Sequence, residues 1–65
     1  MKMTLKAARV NAGLTQEEAA KSIGVTKNTI YRWEIGVSSP PFKRLHTICE
    51  VYGVDSLDDL IFLPK

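Results

Sequence analysis

The stretch QEEAAKSIGVTKNTIYRWEI, residues 16 to 35, constrains the fold more tightly than any other part of the chain. Counted from Gln16, a small residue, Ala20, stands fifth, Gly24 stands ninth, and the apolar residues Val25, Ile30 and Trp33 stand tenth, fifteenth and eighteenth. Apolar positions three or four apart line one face of an α-helix, and glycine supplies the positive φ that lets the backbone leave one helix for another. The spacing therefore predicts two helices of about two turns each, bent sharply at Gly24. Ala20 lets them approach closely, and the three apolar side chains lock them at a steep angle. That is a helix-turn-helix pattern.

The flanking segments are helical as well. A first helix is expected from about Thr4 to Ala12, with Leu5, Ala8, Arg9 and Ala12 on one face and Gly13 just after it. The second begins at Thr15, where T-x-x-E with Glu18 forms a capping box, and has Ala19, Ala20 and Ile23 on its inner side. The third starts on the capping residue Thr26 and runs to about Ile35. The loop GVSSPP then leads into a fourth helix, with Phe42, Leu45, Ile48, Cys49 and Tyr52 at helical spacing and Gly53 at its end. A brief fifth helix, DSLDDLIF, is capped by Ser56 and turns Leu57, Leu60 and Ile61 inward. Short connections throughout imply one all-α domain over residues 1–65, a compact five-helix bundle containing the helix-turn-helix at 16–35.

Sixty-five residues are too few for a second domain. The longest apolar run, LIFL at Leu60 to Leu63, is far below the ~20 residues of a membrane span, and MKMTLK lacks the apolar core of a signal peptide. A cytoplasmic protein that starts naturally at Met1 is the expectation. One cysteine, Cys49, and one histidine, His46, provide neither a disulfide nor a zinc site, so no metal or other cofactor is expected. Cys49 reads as a buried small residue and His46 as an exposed one. Paired nucleophile and base, and a phosphate-cradling glycine loop, are missing, so an enzyme is not expected. The net charge of +2 is unevenly shared: residues 1 to 49 hold eight Lys/Arg against three acids, and residues 50 to 65 hold Lys65 against four acids. A basic front of this kind suits a polyanionic partner, although a solvated surface would tally similarly.

From LKAARVNAGLTQEEAAKSIGVTKNTIYRWEIGVSSP through LHTICEVYGVDSLDDL the chain resembles the Cro/CI-type (XRE family, lambda-repressor-like) helix-turn-helix domains. The resemblance spans nearly the whole chain and implies a five-helix fold that binds double-stranded DNA. Two departures stand out: the ending GVDSLDDL is one residue longer than the usual one, and Val37 and Ser38 occupy places that often hold a basic residue. Glu34 falls on the same helix face as Ile30 and Trp33, where a lone carboxylate would be costly to bury. Arg9, on the apolar side of helix 1, is its expected partner in a structural ion pair, and the resemblance implies the same pairing.

The opposite side of helix 3 presents Lys27, Asn28, Tyr31 and Arg32, and a helix so equipped fits the ~12 Å major groove. Arg32 suits guanine O6/N7 and Asn28 adenine N6/N7; Lys27 can read a base or a phosphate. The resemblance implies that Lys27, Asn28 and Arg32 contact bases and that Gln16 grips the DNA backbone. Thr26, Tyr31, Lys43 and Arg44 complete the expected phosphate contacts, with Tyr31 equally suited to support the turn and Lys43 and Arg44 to be merely solvated. The expected function is a sequence-specific transcriptional regulator, most simply a repressor. It would bind a pseudo-palindromic operator as a homodimer, with Tyr52, Ile61, Phe62 and Leu63 as the candidate dimer surface or, equally, the closure of the core. The alternative is an antitoxin that caps a toxin and binds DNA secondarily. Neither reading requires a small-molecule ligand.

Overall fold

The computed structural model describes residues 2–62. In chain order they form a short strand β1 (Met3–Thr4), helices α1 (Leu5–Asn11), α2 (Gln16–Ile23), α3 (Lys27–Glu34) and α4 (Phe42–Tyr52), a single 3-10 turn (Leu57–Asp59) and a second strand β2 (Leu60–Ile61). The molecule is thus mostly helical and contains the expected helix-turn-helix.

Local chemistry accounts for where the first three helices begin. Thr4 caps α1, its Oγ1 accepting from the Ala7 amide at 3.1 Å. Thr15 and Glu18 form the expected box, with Thr15 Oγ1 accepting from the Glu18 amide at 3.1 Å and Glu18 Oε1 from the Thr15 amide at 2.9 Å. Thr26 Oγ1 accepts from the Thr29 amide at 3.2 Å and shares a hydroxyl–hydroxyl hydrogen bond of 2.8 Å with Thr29. Between α2 and α3 the backbone turns at Gly24, whose φ of +90° is strained for a residue with a Cβ. Leu5, Ala8, Ala19, Ala20, Ile23, Ile30, Trp33, Ile48, Cys49, Tyr52, Val54 and Leu60 form one buried cluster, on which Leu14, Val25 and Leu45 pack.

Five expectations need correction. The fifth helix is not an α-helix: Ser56 does cap, accepting from the Asp58 amide at 3.2 Å, but only a 3-10 turn follows before Leu60 and Ile61 extend. They do so because β2 pairs in parallel with β1, Met3 opposite Leu60 and Thr4 opposite Ile61, so the all-α bundle becomes one with a two-stranded seam. Leu57 and Ile61 are exposed, and only Leu60 of that trio turns inward. Phe42, the assumed start of the α4 stripe, is 84% exposed. As the first residue of its helix, it precedes the turns that lie on the core. Ala12 is likewise exposed, as the C-cap residue beyond the buried face of α1.

Candidate nucleic-acid interface

The arrangement of α3 follows from how its inner face is anchored. Ile30, Trp33 and Glu34 are buried, while Lys27, Asn28 and Arg32 are exposed and Tyr31 is 49% exposed. Glu34 and Arg9 retain only 8% and 7% exposure, so each charge must be met by a polar group inside the protein. Arg9 Nε donates to Glu34 Oε2 at 2.6 Å and Nη2 donates to Oε1 at 3.3 Å, a two-pronged pair in which the guanidinium fork matches the carboxylate. The hydrogen bond to Glu34 is the main reason the Arg9 pKa is raised above its ordinary value. Arg9 Nη1 donates further to the Leu14 carbonyl at 2.7 Å, and Gln16 Nε2 donates to Glu34 Oε1 at 3.0 Å. The carboxylate therefore joins α1, the first residue of α2 and the last residue of α3, and Arg9 adds the α1–α2 loop. No buried side-chain nitrogen or oxygen among the described residues lacks a partner.

The remaining candidates divide into outward and engaged groups. Lys43 is exposed on the first turn of α4. Thr26 is occupied by its cap and by Thr29, and Gln16 by Glu34, on which its amide is aimed. Arg44 turns back to the protein: its Nη1 donates to the Ile23 carbonyl at 3.0 Å. The helix starts also differ as phosphate sites. At α2 the capping box is filled and Glu17 and Glu18 add two carboxylates, whereas α4 starts at Pro41 with no side-chain cap and no acid in its first turn. A phosphate is favoured by free amides and disfavoured by nearby carboxylates, so the α4 end is the better of the two.

Of the candidate dimer residues, Tyr52 is buried in the core, with its phenol pushed up to about 12, first by burial and then by Glu34. It is not surface. Ile61 and Phe62 are exposed, and Leu63 lies outside the described residues. Sequence reading missed the carbonyls of Leu14 and Ile23 as acceptors and the Gln16–Glu34 link. Backbone acceptors have no residue signature, and Gln16 and Glu34 lie 18 positions apart with no shared periodicity.

No helix among the described residues is long and apolar enough to cross a membrane, and no group of three or more His, Cys, Asp or Glu there is arranged to hold a metal ion. What α2, the Gly24 turn and α3 define is a helix-turn-helix protein with a polar, cationic outer helix face. Residues 5–58 match the helix-turn-helix family HTH_3, and the chain belongs to this XRE-type family of DNA-binding transcription regulators. It is 36% identical to an uncharacterized HTH-type transcriptional regulator of Methanothermobacter thermautotrophicus, over 100% of this chain and 94% of that protein. It is 44% identical to the transcriptional repressor RstR of the cryptic phage CTXphi from Vibrio cholerae, over 71% of this chain and 41% of the repressor. Identity to the antitoxin PezA of Streptococcus pneumoniae is 33%, over 83% of this chain and 34% of the antitoxin. No solved structure matches the chain significantly.

Proposed function

We propose that this chain is a sequence-specific DNA-binding repressor that lays α3 in the major groove of a pseudo-palindromic operator, two copies binding one site. The observation that carries the reading is the two-sided character of α3, whose inner face is anchored through Glu34 while Lys27, Asn28 and Arg32 are left to solvent. Arg32 reads a guanine edge and Asn28 an adenine edge; Lys27 contacts a base or the adjacent phosphate. Lys43, at the uncapped start of α4, and Tyr31 contact phosphates, and the second amide hydrogen of Gln16 can do so while the first stays on Glu34. Thr26 stands at the start of α3 as a further backbone contact. Similarity to a phage repressor supports repression as the mode of action. One small module makes few base contacts, so two copies on half-sites ~34 Å apart supply the affinity.

A second reading is favoured by the similarity to an antitoxin: the chain would hold a toxin and repress its own operon. Selecting duplexes from a random pool, then measuring stoichiometry and salt dependence on the winner, tests the first reading. A preferred sequence bound by two copies supports it, and equal competition by scrambled duplexes removes it.

A further inference from the structure

Arg44 reads from the sequence as a phosphate contact, yet its half-buried guanidinium is engaged with the protein through one nitrogen. It sits in the first turn of α4, where its amide donates to the Pro41 carbonyl at 2.9 Å, and its side chain reaches across to α2. There Nη1 donates at 3.0 Å to the carbonyl of Ile23, the last residue of α2. The last carbonyls of a helix have no partner within it, and a cation is favoured at that end. The amides of Gly24 and Val25 both close the turn on the Ala20 carbonyl, at 2.8 and 3.0 Å, and the Ile23 carbonyl is met by the guanidinium of Arg44. A separate observation places the guanidinium against the turn itself: a Cβ built on Gly24 would lie 3.4 Å from the same nitrogen.

We infer that Arg44 is a positioning residue, clamping the α2–α3 turn from α4 and so setting the direction in which α3 presents Lys27, Asn28 and Arg32. The lever is short. α3 begins at Lys27, three positions beyond Gly24, so a rotation at the turn is carried directly into its first exposed side chains. This role rests on the DNA-reading function proposed above, and it assigns Arg44 to orientation where a phosphate contact would assign it to attraction.

The two roles give different salt and sequence dependence. Arg44→Ala and Arg44→Lys are compared with the parent on the selected duplex and on a scrambled duplex of equal length, with Trp33 fluorescence reporting that each variant is folded. For a clamp, Arg44→Ala loses about tenfold on the selected duplex and little on the scrambled one. The slope of log affinity against log salt stays the same, and Arg44→Lys, which can still donate to Ile23, recovers part of the loss. Without DNA, the Gly24 and Val25 amides of Arg44→Ala exchange faster than those of the parent. Equal losses on both duplexes with the slope shallower by about 0.9 make Arg44 a phosphate contact and overturn the clamp. Unchanged affinity on both duplexes reduces it to a residue of stability alone, which also overturns it. Should no duplex be selected, the DNA-reading function fails, and unchanged amide exchange at the turn would then be the result that removes the clamp.

Discussion

Residues 15–36 and residues 41–62 hold their helices by different means. In the first region α2 and α3 each begin on a threonine whose hydroxyl accepts a backbone amide, and α3 ends on a carboxylate bonded to Arg9 and Gln16. In the second, α4 begins without a side-chain cap, Phe42 stands 84% exposed, and Leu60 and Ile61 are held by pairing with Met3 and Thr4. Orientation follows from this contrast. A surface that must meet a rigid partner is supported by caps and a fully satisfied buried polar network, since such networks admit few alternative arrangements. The later region supplies apolar side chains to the shared core and, through Arg44, one hydrogen bond to the end of α2.

The largest effect is expected at Glu34, in the first region. Glu34→Ala should lower stability by about 3–5 kcal/mol in urea unfolding by stranding Arg9, and the double change Arg9→Met with Glu34→Leu should recover most of it. A loss below ~1 kcal/mol for Glu34→Ala would mean that the pair does not anchor α3.

Next is Tyr52, in the later region, whose phenol stands at about 12 in the folded protein against ~10 when unfolded. Between those values the unfolded chain gives up the proton while the folded one keeps it, so its contribution is intact below pH ~10 and is lost as pH rises through the folded value. The fall should reach roughly 3 kcal/mol across the interval and be missing in Tyr52→Phe, as read from alkaline unfolding of the two proteins.

Arg32→Ala should cost ~1–3 kcal/mol of binding on the selected duplex and relax preference at one base pair; a uniform loss over all sequences would assign Arg32 to phosphate. Smaller still, Thr15→Ala should remove about 1 kcal/mol of stability through the lost cap. Phe42→Ser, a far larger loss of apolar surface, should change stability by less than ~0.5 kcal/mol because the ring is already in water. If Phe42→Ser proved the costlier of those two, the contrast between the regions would be wrong.

Where signals are local, the fold could be read in advance. The capping box of Thr15, the caps of Thr26 and Ser56, the turn at Gly24 and the buried face of α3 all lie within a few residues of the features that betray them. The pairing of Arg9 with Glu34 was also accessible, because a charge on an apolar face demands an opposite one. What escaped was the fate of residues 57–61. Apolar spacing suits a helix there, but the Met3–Thr4 strand offers backbone partners to Leu60 and Ile61, and a residue distant in sequence leaves no local signal. Phe42 falls outside the buried stripe because periodicity says which residues share a face and not how far the covering elements extend.

By itself the sequence determined the helix-turn-helix, its caps and the division of α3 into an apolar side carrying one acid and a polar, cationic side. Those are consequences of hydrogen bonds and side-chain spacing within single helical turns. Packing alone established that Glu34 also holds Gln16, that Arg44 serves the end of α2, and that residues 3–4 and 60–61 meet as strands. Each of these depends on a backbone group or a residue distant in sequence being brought within about 3 Å, the distance at which a hydrogen bond forms.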